Sequence, residues 1–172
     1  IFKRIFGKAT SVNFNGLTID TRTLKKNNLF LCIKGKNHDG KEFINEAIKK
    51  QAGCIVSSSI HKKKNKKIIK TKNVISFLNR FAELKRDSTS AKIIAITGSA
   101  GKTSLKNMLN DLLKVFGKTY SSPKSFNNHL GVPVSLSNLS SSDEFGIFEI
   151  GMSRAGEIKK LSKLVRPHIG VI

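Results

Sequence analysis

The chain has 172 residues, 38% of them hydrophobic and 25% charged, a globular composition that excludes intrinsic disorder. No apolar run approaches the ~20 residues that a membrane span needs, and no charged-then-apolar start resembles a secretion signal, so a cytoplasmic protein is expected. With 32 Lys+Arg against 11 Asp+Glu the formal net charge is +21, which attracts polyanions at low salt.

Residues 1–88 read as a small mixed α/β unit. "GLTIDTRTL" has the β-branched look of a short strand entering a polar turn, and "NLFLCIKG" is a compact apolar run bounded by Asn28 and Gly35. "DGKEFINEAIKKQAG" starts at Asp39, spaces Phe43, Ile44, Ala47 and Ile48 as a helix does, and stops at Gly53. "CIVSS" reads as a strand. The run "HKKKNKKIIKTK", residues 61–72, carries much of the excess charge and reads as a solvated loop. It lacks interleaved aromatics for base stacking, so no specific nucleic-acid recognition is expected. "NVISFLNRFAELKRD" is predicted to be a helix with Val74, Leu78 and Phe81 on one stripe. Cys32 and Cys54 share no metal-ligand spacing and read as buried thiols of a reducing compartment.

The polar break "DSTSA" separates this unit from residues 89–172, where the pattern becomes regular. A strand at 93–97, a helix from about 102 to 116, a short strand at 119–121 and a helix near 130–138 are predicted, followed by the strand "FGIFEIG", a helix near 156–165 and a last strand at "HIGVI". Strands alternating with helices predict a parallel sheet covered on both faces. The chain opens on Ile1 and stops at Ile172 inside a strand-like run, so both ends are expected to lie within a longer protein.

"IIAITGSAGKTSLKNML" joins strand to helix through a glycine-containing turn that ends in Lys-Thr. Gly98 and Gly101 allow the backbone to approach a ligand closely, and the amides of Thr97, Gly98, Ser99, Ala100, Gly101 and Ser104 lie where N–H groups at a helix start wrap phosphate oxygens. Lys102 supplies a point charge to the terminal phosphates, and the Thr103 hydroxyl is the type of group that reaches a magnesium ion. The match to G-x-x-x-x-G-K-[ST] is incomplete, because Ile96 stands where the first glycine belongs. A magnesium nucleotide also needs a carboxylate at a neighbouring strand end. Of the five acids beyond Lys102 (Asp111, Asp143, Glu144, Glu149 and Glu157), Glu149 sits at the carboxyl end of a predicted strand, whereas Glu157 reads as a helix-start charge. In "SPKSFNNHLGVP", Asn127 and Asn128 read on their own as turn formers or caps.

Taken in order, "DTRTLKKNNLFLCIKGKNHDGKEFI", "IAITGSAGKTS", "SFNNHLGVPVSL", "FEIGMSRAGEI" and "LVRPHIGVI" resemble the Mur ligase family, and within it the dipeptide-adding type. The phosphate loop alone fits any Mur-type or folylpolyglutamate-type ligase; the Asn-Asn and "EIGMSRAGEI" segments are more specific. The resemblance implies a P-loop-type parallel-sheet ATPase domain, incomplete at Ile172 and lacking the family's third domain, behind a nucleotide-substrate domain. It implies an ATP- and Mg2+-dependent ligase of peptidoglycan precursor synthesis, with UDP-MurNAc-tripeptide and D-Ala-D-Ala as substrates and an acyl phosphate between them. Lys102 and Glu149 become catalytic candidates, Thr103 and Glu149 metal candidates, and Asp20, Thr21, Arg22, Asn127 and Asn128 substrate candidates. "KGKNHDGKEF" resembles a neighbouring substrate-side loop. The isolated 172 residues are not expected to ligate. Three other readings stay open: a Mur-type ligase for a single amino acid, a basic nucleotide-dependent nucleic-acid-binding protein, and a noncatalytic nucleotide-binding module.

Overall fold

The structure is a computed structural model that describes Ile5 and residues 14–35, 37–59, 65–123, 126–152 and 154–172. The chain divides into two compact units, Ile1–Arg80 and Phe81–Ile172.

In the first unit four strands, β1 (Leu17–Thr18), β2 (Leu29–Leu31), β3 (Cys54–Ser57) and β4 (Ile68–Lys70), pair in sequence order. All three pairings are parallel, with Phe30 opposite Ile55 and Val56 opposite Ile69. Parallel neighbours need a crossover between them, and between β2 and β3 a helical segment supplies it. That segment is a 3-10 turn, Gly40–Phe43, running into the short helix α1 (Ile44–Lys49), rather than one continuous helix. The Asp39 carboxylate accepts from the Lys41 amide, which favours the tight turn at this point. Ile44 and Ala47 of α1 join Leu24, Phe30, Cys32, Ala52 and Ile55 in one apolar cluster. Strand β4 lies where the sequence predicted a loop. Ile68 and Ile69 are the apolar residues of the lysine-rich run, and parallel pairing with β3 makes them a strand.

The helix α2 (Val74–Asp87) contains the division between the units, and its Ala82 belongs to the core of the second. That unit has strands β5 (Lys92–Ile96), β6 (Thr119–Ser121), β7 (Phe145–Glu149) and β8 (Ile169–Val171). Their spatial order is β6-β7-β5-β8, every pairing parallel. Helices α3 (Lys102–Leu113), α4 (Gly131–Ser137) and α5 (Glu157–Val165) connect them. Alternation along β5 and β7 sorts the side chains onto two faces. Ile93, Ala95 and Phe148 pack with Val132 and Leu136 of α4 and Leu161 and Val165 of α5. Ile94, Ile96 and Ile147 pack with Leu105, Leu109 and Leu113 of α3. Two residues beyond Ile147, Glu149 shares the α3 face, so the alternation that builds the core also aims a carboxylate at the start of that helix.

Candidate functional site

The site begins where β5 and β7 end together. Ile96 and Glu149 are register partners, so the phosphate-type loop leaves the sheet beside the strand-end carboxylate. Gly98 has φ +139° and Gly101 φ +74°, and Gly101 is the residue immediately before α3. Left-handed backbone is costly for a residue with a Cβ, so these two positions explain the glycines of the turn. Lys102 folds back across the loop, its ammonium donating to the Gly98 carbonyl at 2.6 Å and to Ser99 at 3.3 Å.

Thr103, the second residue of α3, donates from its hydroxyl to Glu149 Oε2 at 2.9 Å. One turn further on, Lys106 Nζ reaches the same oxygen at 3.5 Å. The other oxygen, Oε1, accepts from the Asn127 side-chain amide at 3.0 Å. The Glu149 backbone N–H donates to Ser122 Oγ, and the Gly151 N–H to the Asn127 carbonyl. Glu149 is 4% exposed and Lys106 2%. Burial pushes the Glu149 carboxyl up, but the hydrogen bonds from Asn127 and Thr103 together with the Lys106 ammonium hold it below the ordinary carboxylate range. It is therefore an anion at neutral pH.

A buried anion touching an alcohol at a helix start suits a hard divalent cation, which takes one or two carboxylates and completes its shell with water and phosphate oxygens. The Thr97 hydroxyl oxygen, at the mouth of the loop, is buried with no hydrogen-bond partner among the described residues, as expected of a group that meets a ligand. Loop, lysine, hydroxyl and carboxylate thus fit a magnesium nucleotide. Among the described residues, no cluster of three or more His, Cys, Asp or Glu could hold a metal by itself.

Asn128 follows Asn127 directly in the chain. Its Oδ1 accepts from the amides of Leu130 and Gly131 and so caps the start of α4. Lys106 went unnoticed in the sequence because a lysine in a helix usually reads as a solvated face. Its signal was position, three residues after Thr103 and four after Lys102, on the buried side of α3.

Asp20, Thr21 and Arg22 gather in the first unit. Asp20 caps the 3-10 turn Thr21–Thr23 and takes a bidentate contact from the exposed Arg22 guanidinium, with Nη2 to Oδ2 at 2.7 Å. That hydrogen bond is the main reason the Asp20 carboxyl lies below its usual range. Thr21 is buried, and its carbonyl accepts from Lys50 Nζ. At the carboxyl ends of β2, β3 and β4 a cavity of about 200 Å³ is lined by Cys32, Lys34, Asp39, Lys41, Ser58 and Lys72, among others. It includes part of the "KGKNHDGKEF" loop and takes Lys72 from the end of the lysine-rich run; residues 61–64 of that run lie outside the described residues.

Known proteins resemble the chain along most of its length. Residues 13–87 match the Mur ligase family, catalytic domain, and residues 96–172 match the Mur ligase middle domain. The UDP-N-acetylmuramoyl-tripeptide–D-alanyl-D-alanine ligase of Rickettsia prowazekii is 39% identical over 95% of the chain and 36% of its own length. The ligase of the same name from Buchnera aphidicola subsp. Baizongia pistaciae is 38% identical over 94% of the chain and 35% of its own. A crystal structure of MurF from Acinetobacter baumannii superposes with TM-score 0.82 at 26% identity, covering 95% of this chain and 36% of that one. The MurF ligase of Thermotoga maritima in complex with ADP gives 0.74 at 27% identity, covering 92% and 37%. The chain thus spans little more than a third of the length of these relatives. Two consecutive family domains, in the family's order and on its fold, leave one assignment: the chain belongs to the Mur ligase family.

Proposed function

We propose that the protein carrying these residues is an ATP- and Mg2+-dependent ligase that adds D-Ala-D-Ala to UDP-MurNAc-tripeptide in the cytoplasm. In this reading residues 1–88 form the domain that binds the uridine nucleotide substrate, through Asp20, Thr21, Arg22 and the loop that follows β2. Residues 89–172 form the first part of the ATP-binding domain. The observation that carries the reading is the meeting of Thr103, Glu149 and the Lys102 loop at adjoining strand ends. The relatives' names supply the substrates.

The chemistry asks for what these residues offer. Moving a phosphoryl group from ATP to a peptide carboxylate brings two anions together, so positive charge must stand where negative charge gathers. Lys102 and the loop amides would hold the phosphates, and a magnesium ion held by Thr103 and Glu149 would neutralise charge on them. Attack of the D-Ala-D-Ala amine on the resulting acyl phosphate forms the amide and releases phosphate. Asn127, already bonded to Glu149, would link the metal side of the site to the muramyl peptide.

The test is ADP release by the protein carrying these 172 residues, with UDP-MurNAc-tripeptide and D-Ala-D-Ala supplied singly and together. Release requiring both substrates, and lost in Lys102→Ala, is expected. Release that accepts a single amino acid instead points to another Mur-type ligase, and release indifferent to both substrates overturns the proposal.

A further inference from the structure

One strongly buried group has no assigned part in this reading. Lys106 is 2% exposed and lies on the side of α3 that faces the sheet, next to Leu105 and Leu109, which pack on Ile94, Ile96 and Ile147. An apolar side chain would suit that position at no electrostatic cost. Lysine is almost never fully buried unless paired, and taking an ammonium out of water is unfavourable before any partner is counted. Its ion-pair partner is Glu149 Oε2, the oxygen that also accepts from Thr103. With Asn127 on Oε1, both carboxylate oxygens are held, and the side chain is fixed from three directions.

We propose that Lys106 is a positioning residue for the metal-nucleotide site, holding Glu149 in the rotamer that presents Oε2 beside the Thr103 hydroxyl. It acts through Glu149, whereas Lys102 acts on the phosphates themselves. Its place on α3 is suited to this. The helix that carries Thr103 also carries the group that aims Glu149 at Thr103, so one rigid element sets both halves of the pair. The inference rests on the nucleotide reading given above.

The experiment measures equilibrium ADP and ATP affinity of the protein carrying this chain, with EDTA and across a Mg2+ titration, by calorimetry rather than by turnover. Lys106→Met removes the charge at similar volume, and Lys106→Arg keeps it. The magnesium-dependent gain in nucleotide affinity is expected to fall roughly 10–100-fold in Lys106→Met, the usual effect of losing a group that orients a metal ligand. Affinity in EDTA is expected to stay within about twofold. Lys106→Arg is expected to recover most of the gain, which separates positioning from a folding defect, and far-UV circular dichroism checks the fold of each variant. In a Glu149→Gln background, Lys106→Met is expected to cause no further loss. A wild-type magnesium gain in Lys106→Met, or an equal loss in EDTA, overturns the positioning role and leaves the nucleotide site standing. Wild-type protein with no magnesium-dependent nucleotide binding overturns both.

Discussion

The Thr103 hydroxyl donates to Glu149 Oε2 at 2.9 Å across a sequence separation of 46 residues. Thr103 opens a helix and Glu149 closes a strand, and the parallel pairing of β5 with β7 brings them together. Thr103→Val keeps the shape and deletes the hydroxyl. Magnesium-dependent ADP affinity is expected to fall roughly 10–100-fold with little change in melting temperature, read by calorimetry and thermal melts. Unchanged magnesium dependence would remove Thr103 from the metal pair.

Lys106 and Glu149 should also be coupled in stability. Removing either partner of a buried ion pair typically costs about 3–5 kcal/mol, because the other charge is left behind. Lys106→Met and Glu149→Gln are each expected to destabilise in chemical denaturation, and the double variant by clearly less than the sum. Strict additivity would mean the two charges do not depend on one another.

The pH dependence follows from the lowered Glu149 carboxyl. Its folded value lies below the ordinary 4.5, so its contribution to stability is complete above pH ~4.5 and is lost as pH falls through the lower, folded value. Urea midpoints of the native chain are expected to hold down to about pH 5 and fall below it. Glu149→Gln should flatten part of that acid limb; an identical limb in the variant would assign the acid loss elsewhere.

Two glycines should respond differently to alanine. At Gly101 an added Cβ meets nothing within 4 Å, so the cost is the left-handed backbone alone, about 1–2 kcal/mol. At Gly131 the same atom would stand 2.4 Å from Phe126 Cα, and backbone must move. Gly131→Ala is expected to lower the melting temperature more than Gly101→Ala does, and Gly101→Ala to weaken nucleotide binding. The reverse order of melting temperatures would count against this packing.

Cys32 and Cys54 are free, buried thiols whose values burial pushes up to about 12. A neutral-pH thiol reagent is expected to label neither in the native protein and both in denaturant. Fast native labelling of Cys54 would show the first unit opening readily.

Much of this was legible in the sequence because it is written locally. The run from Ile93 to Thr103 announces strand, turn and helix within eleven positions, and Glu149 followed from a strand-end rule. What escaped depends on distant partners. Ile68 and Ile69 become a strand only against β3. Lys106 becomes a buried charge only when β7 lies beneath α3. The Gly40–Phe43 turn carries an Asp39 hydrogen bond that helical spacing does not reveal.

The strand order β6-β7-β5-β8 has a consequence during synthesis. Lys106 leaves the ribosome well before its partner, and at about 5–20 residues per second the 46 positions from Thr103 to Glu149 take roughly 2–9 s to translate. Through that interval the carboxylate that Lys106 meets in the folded protein has not been made, and β5 has no β7 to pair with. The contact between Thr103 and Glu149 therefore belongs to the chain only once β7 has been made.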